Sequence, residues 1–187
     1  VRLVGSEMCI RDRTVTFGQP YSDLPRPTRA GYDFVGWYLN ETLITENSVV
    51  TAAENHTLTA AWNARGDTQY QVEYWTEGLD GTYAVERKDN CRGKTDSMVT
   101  AAPAQILGFT HDQTDSRNVL SGTVAGDGSL VLKLYYTRNQ YTVTYYDGDT
   151  QIGTSETYRY GEMLTALEYS KAVSYTHLRA HETDSYL

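Results

Sequence analysis

Four histidines and two cysteines are the residues of this chain best suited to proton transfer, nucleophilic attack or metal ligation. Their spacing argues against all three. His56 and His111 stand far apart in sequence, and no second histidine or cysteine follows either at metal-ligand spacing. Cys91 lies beside Arg92 and Lys94, where cations can lower a thiol pKa, but no histidine stands near it to act as a base. It reads as a solitary loop cysteine. Asp127-Gly128 and Asp147-Gly148-Asp149 look like fragments of a calcium loop, yet the further oxygen ligands and closing glutamate are absent, so both read as hairpin turns. Asn40-Glu41-Thr42 and Asn55-His56-Thr57 match the glycosylation sequon. Gly-x-Ser-x-Gly, glycine-rich phosphate loops and paired His-Glu motifs are missing, and no carboxylate pair is placed for glycoside hydrolysis. The expectation is a non-enzyme with no cofactor and no metal.

Tyrosine is the side chain left to consider, with sixteen in the chain. Tyr135, Tyr136, Tyr145, Tyr146, Tyr158 and Tyr160 occur as neighbours or at period two. Adjacent strand residues face opposite sides, so some of these rings must point outward. An outward tyrosine can stack on a sugar or a protein surface while its hydroxyl still donates. Tyr135, Tyr145, Tyr158 and Tyr160 are the candidate ligand-stacking residues, against the plainer reading of ordinary strand propensity.

The elements that would carry them are strands. The chain has 187 residues and a net charge of −8, with 16 Lys and Arg against 24 Asp and Glu. That charge argues against a nucleic-acid binder, which needs clustered cations. No apolar run approaches the length of a membrane helix. Alternating segments are expected at Val15–Phe17, Tyr32–Tyr38, Leu58–Trp62, Tyr70–Trp75, Ala84–Lys88, Leu130–Tyr136, Tyr141–Tyr146 and Thr157–Glu162. Gly78–Tyr83, Ala125–Ser129 and Asp147–Asp149 carry turn chemistry, and Asp89–Thr95 reads as a polar loop. Strict period two places Tyr32, Phe34 and Gly36 on one face and Asp33, Val35 and Trp37 on the other. The opening Tyr70-x-Val72-x-Tyr74 returns as Tyr141-x-Val143-x-Tyr145, 71 residues later. Recurrence of this kind indicates serial modules.

The modules carry family resemblances. Gln19-Pro20-Tyr21, Leu24-Pro25-x-Pro27-Thr28-Arg29-x-Gly31-Tyr32-x-Phe34-x-Gly36-Trp37-Tyr38 and Thr57-Leu58-x-Ala60-x-Trp62 resemble the Listeria–Bacteroides repeat, also called the internalin B-repeat. That resemblance implies a small β-grasp fold carried in tandem on bacterial surface proteins. It also implies an opening strand ahead of Thr14, which this sequence lacks, so a less stable module is expected. Tyr70-x-Val72-x-Tyr74, Asp80-Gly81-Thr82-Tyr83, Gly108-Phe109, Leu120-Ser121-Gly122-Thr123-Val124 and Gly128–Tyr136 resemble a mucin-binding (MucBP-type) repeat, with a like fold and setting implied.

Residues 1–13 and 173–187 are different in kind. Glu7–Arg13 and Val173–Thr183 resemble peptides translated from sequencing-adapter DNA, and such segments are set aside before fold reasoning. Cys9, His177 and His181 leave the chemical inventory with them. The expected organisation is therefore an unstructured artefact at 1–13, a truncated Listeria–Bacteroides-type repeat at 14–66, a MucBP-like repeat at 67–139, the first half of a third repeat at 140–172, and a second artefact at 173–187. The fold class expected is mainly β, with α+β as the variant: tandem β-grasp (ubiquitin-like) modules. The expected core is Phe17, Tyr32, Phe34, Trp37, Leu58 and Trp62 in the first module. In the second it is Val72, Tyr74, Tyr83, Phe109, Leu120, Val124, Leu130, Leu132 and Leu134. The resemblances imply an extracellular, cell-wall-associated stalk or adhesive region whose partners would be glycans or host surface proteins. Wall or membrane attachment would lie in regions outside this sequence. The alternatives are a glycan- or mucin-binding module and an accessory region of a secreted enzyme.

Overall fold

A computed structural model describes residues 1–4, 11–165, 167, 168 and 170; the flank at 173–187 lies outside them. The described residues form strands and turns and contain no helix.

The first module contains β1 (Arg2–Val4), β2 (Arg11–Asp12), β3 (Tyr32–Leu39), β4 (Thr42–Ile44) and β5 (Thr57–Ala64). They make one mixed sheet in the order β2-β1-β5-β3-β4, with β1 parallel to β5 and the other pairs antiparallel. Residues 1–13 were expected to stay outside the fold. Instead Arg2–Val4 occupies the opening-strand position, Leu3 lies opposite Leu58, and Leu3 is buried. An alternating apolar strand is accepted wherever a parallel edge and an apolar slot are open.

The core of this module is Leu3, Tyr21, Trp37, Ile44, Val50 and Leu58, with Phe34, Leu24 and Ala60 packed against it. Trp37 joins Phe34 because of a β-bulge. Phe34 faces Trp62 and Gly36 faces Ala61, so Val35 is the unpaired extra residue. The bulge cancels the alternation that would have put Trp37 on the opposite face. Its ring meets Phe34 edge-on at 5.7 Å, and its indole N–H donates to the Pro25 carbonyl at 2.7 Å. Tyr32, Phe34 and Trp62 are half-buried. Phe17 is not a core residue: it is 65% exposed. The strand expected at Val15–Phe17 does not form, because Gly18 takes φ +74° and the Gln19 N–H closes a tight turn on the Thr16 carbonyl.

The second module contains β6 (Thr68–Glu77), β7 (Tyr83–Gly93), β8 (Met98–Thr100), β9 (Phe109–His111), β10 (Ser121–Thr123) and β11 (Val131–Arg138). Its main sheet runs β7-β6-β11-β9, with β6 parallel to β11, and β8 pairs with β10. A first hairpin beside a parallel closing strand thus recurs from the first module. The expected loop at Asp89–Thr95 is strand as far as Gly93, and Cys91 sits on it opposite Tyr70. Val72, Tyr74, Leu132, Leu134 and Tyr136 form the core, with Phe109 and Leu130 packed against them. Val124 is fully buried, Tyr83 is half-buried on the other side of the sheet, and Leu120 is exposed.

Tyr136 shows how this small core accepts a polar group. Its hydroxyl donates to the Ala104 carbonyl at 3.1 Å and accepts the Ala104 N–H at 2.9 Å, while the ring is 1% exposed. Tyr136→Phe keeps the ring and strands both Ala104 groups. A loss of about 1–3 kcal/mol is expected, read as a lower urea midpoint at unchanged slope.

The third unit is one hairpin, β12 (Gln140–Asp147) with β13 (Thr150–Arg159), turned at Gly148.

Candidate functional site

Sequence reasoning placed ligand contact on four tyrosines, and the structure uses each of them internally. Tyr135 is 8% exposed. The Trp75 ring stacks on it at 5.7 Å, Tyr83 meets it edge-on at 5.4 Å, and the Arg117 guanidinium covers it at 4.4 Å and Tyr83 at 4.1 Å. Arg117 is held by Asp115, whose oxygen accepts its Nε–H at 2.9 Å. Tyr158 is also buried; it donates to Glu156 and accepts the Thr165 N–H at 3.3 Å. Tyr145 is half-buried with its hydroxyl turned to the Thr165 carbonyl. Tyr160 seats against Gly108 and Phe109. Among the described residues the exposed rings of this unit are Tyr141 and Tyr146, which the period-two reading had not chosen. Trp75 and Arg117 escaped that reading because nothing local tells that an outward ring will be capped by a distant arginine.

The same outer face carries a buried charge. Glu73 is 7% exposed, pairs with Lys88 Nζ at 2.7 Å, and accepts the Trp75 indole N–H at 3.1 Å. The Lys88 contact holds its carboxyl below the usual carboxylate range despite opposing desolvation, and Trp75 adds to the lowering. Arg117 does the same for Asp115. Both groups bind a proton more weakly folded than unfolded. Their contribution is therefore complete above the unfolded carboxylate value and lost as pH falls through the folded one. Urea midpoints should drop on acidification from pH 7 to pH 3, and Glu73→Gln should flatten part of that slope. A slope identical to the parent's would remove Glu73 from the account.

The two described histidines, His56 and His111, do not converge. His56 donates from Nδ1 to the Glu54 carbonyl at 2.9 Å, so its Nε2 accepts the Tyr21 hydroxyl at 2.6 Å and fixes that core ring. His111 packs on Tyr136 with ring centroids 5.3 Å apart. Among the described residues no group of three or more His, Cys, Asp or Glu side chains could hold a metal ion, and no helix is long and apolar enough to cross a membrane.

What the structure builds with most care is the junction between consecutive units. At the first, Gly31 has φ +77°. Its carbonyl accepts the Arg65 N–H at 2.9 Å and the Thr95 hydroxyl at 2.8 Å, and the Arg65 carbonyl accepts the Thr95 N–H at 2.9 Å. Tyr32 adds a hydroxyl bond to Asp96. A Cβ on Gly31 would stand 2.4 Å from the Gly126 Cα, so two backbones touch there.

The second junction repeats the pattern. Gly108 has φ +80°, and its carbonyl accepts the Asn139 N–H at 2.9 Å. The Asn139 carbonyl accepts the Tyr160 N–H at 2.8 Å. A Cβ on Gly108 would stand 2.1 Å from the Tyr160 ring, which meets Phe109 edge-on at 5.8 Å. Arg138 ties the corner to both sides, donating to the Glu77 carbonyl at 3.0 Å and the Tyr160 carbonyl at 2.6 Å. In each case a linker residue donates backward to a glycine carbonyl and accepts forward from the next unit. Arg65 follows Leu58, and Asn139 follows Leu132, by the same seven residues. Sequence reading had noted Gly31-Tyr32 and Gly108-Phe109 as motif fragments. The seven-residue spacing marks the two linker residues, but the distance from each glycine to its linker differs, so the sequence held no signal that paired glycine and linker.

Residues 5–61 match the Listeria–Bacteroides repeat domain family. The match begins nine residues ahead of the boundary expected at residue 14 and so takes in part of the flank that sequence reasoning had set aside. No curated protein matches the chain.

Proposed function

We propose that this chain is a repeat region of a bacterial cell-surface protein, extracellular and wall-associated, in which small β modules act as a jointed spacer without catalysis, metal or cofactor. The observation that carries this reading is the repeated glycine corner, which spends two hydrogen-bonded linker groups per junction on holding neighbours in place. The family match at residues 5–61 supports the surface setting. The sheet order β2-β1-β5-β3-β4 supports a β-grasp reading of the first module. The recurrence of a hairpin beside a parallel closing strand supports a MucBP-like relative for the second. A net charge of −8 keeps such an array soluble.

The test is surface display of the whole chain between a wall anchor and a reporter tip. A spacer makes the reporter more accessible to a bulky probe while the displayed chain itself binds nothing. A reporter no more accessible than one displayed without the chain would reject the spacer role.

A second reading, glycan or mucin binding, has its own observation. Tyr141 and Tyr146 are 50% and 61% exposed on the third unit. Mucin and glycan arrays probed with the whole chain decide it: saturable binding lost in Tyr146→Ala would favour this reading over a pure spacer.

The flanks belong to the same proposal. Their likeness to translated adapter sequence supports reading Arg2–Val4 as a substitute for the module's own first strand, with Leu3 filling the slot beside Leu58. Reading the source DNA across both flanks tests this, and continuous native coding sequence would refute it.

A further inference from the structure

Phe17 is a large apolar ring in a turn, outside the core that surrounds it. The same kind of turn follows the second strand of each of the three units, after β2, β7 and β13. The Gln19 N–H closes on the Thr16 carbonyl at 3.1 Å, Ser97 on Lys94 at 3.0 Å, and Glu162 on Arg159 at 2.9 Å. Each turn holds one residue at positive φ: Gly18 at +74°, Asp96 at +65°, Gly161 at +76°. The next hydrogen bonds coincide too. Gly18 donates to the Val50 carbonyl and Asp96 to the Val124 carbonyl, and both valines are buried core residues. Phe17, Thr95 and Tyr160 are therefore the same position in three units.

Two of these positions have their partner in view. Thr95 binds the Gly31 corner, and Tyr160 covers the Gly108 corner. The third has the ring and no corner beneath it. We propose that Phe17 is the docking residue of the first module, shaped to seat on the glycine corner of a like β module placed ahead of it in the polypeptide.

The side chain specifies the kind of corner. Phe17 has no hydroxyl, so it cannot reproduce the Thr95 bond to a glycine carbonyl. It can reproduce the Tyr160 arrangement, a ring lying where a Cβ would be and meeting the following aromatic edge-on. The partner is therefore a glycine at positive φ followed by an aromatic residue, with a linker residue whose carbonyl accepts the Phe17 N–H. This surface follows from the joints alone and stands or falls separately from the cell-surface reading.

The experiment repeats residues 1–140 ahead of Val1 in the full chain. Asn139 then stands four residues before Leu3, as it stands four before Val143 at the second junction. Phe17→Leu in the added copy leaves only the original Phe17 to be read by hydroxyl-radical footprinting. Its oxidation should fall several-fold relative to the unextended chain, and Gly108→Val in the added copy should restore it. Equal oxidation in the extended and unextended chains, with the added copy's core amides protected from exchange, would overturn the proposal. A second measurement uses the chain as it stands. Phe17→Ser should leave its melting temperature unchanged, and a clear drop would show that the ring serves its own module instead.

Discussion

Trp37→Ala is expected to cost about 3–5 kcal/mol, enough to unfold the first module at ordinary temperatures. The residue is 4% exposed, carries the edge contact with Phe34, and satisfies its own indole N–H on Pro25. A unit of this size has few other large buried side chains, and its core centres on six residues. The truncation leaves a cavity and also removes the donor to the Pro25 carbonyl. Calorimetry of the whole chain should lose the transition of the first module and retain that of the second, whose core is a separate cluster. A melt unchanged by the substitution would mean that Trp37 is not the centre of that core.

Gly31→Val should act on the junction and not on either core. The backbone there has φ +77°, where a β-branched side chain is strained by about 1–3 kcal/mol. The new Cβ would also stand 2.4 Å from the Gly126 Cα and 2.8 Å from the Thr95 hydroxyl, so the two modules must part to admit it. Arg65, now tied on both its N–H and its carbonyl, would be released. Trypsin cleavage after Arg65 should accelerate by on the order of tenfold or more, since about 1.4 kcal/mol is a factor of ten in an opening equilibrium. The melting transitions of both modules should shift far less. Gly108→Val should expose Arg138 to trypsin in the same way. Cleavage at parental rate would show that the corners do not hold the linkers.

Strand identity was legible in the sequence because alternation and turn residues are local. Tyr32–Leu39, Thr68–Glu77 and Val131–Arg138 lie where the pattern put them. Burial was less so, for reasons particular residues make plain. Period two assigned Trp37 to the wrong face because one unpaired residue, Val35, shifts the register. Tyr21 lies in a proline-marked connection and still belongs to the core, because His56 and a long-range backbone bond to Ser48 draw that segment inward. Tyr135 reads as outward from its strand alone. Trp75, Tyr83 and Arg117, from three other parts of the chain, cover it. Phe17 reads as core from its type, but its position is the docking position of the unit. The joints depend on contacts between units, and a pattern within one segment does not report them.

Hydrogen exchange at four backbone amides, Arg65, Thr95, Asn139 and Tyr160, tests the jointed architecture most directly. Each N–H is bonded across a junction at 2.8–2.9 Å. If the units are docked as described, all four are protected well beyond an unstructured linker, and Gly31→Val removes the protection of Arg65 and Thr95 while sparing the other two. Exchange at the rate of a free chain at these four amides, with Leu58 and Leu132 still protected in their strands, would contradict it.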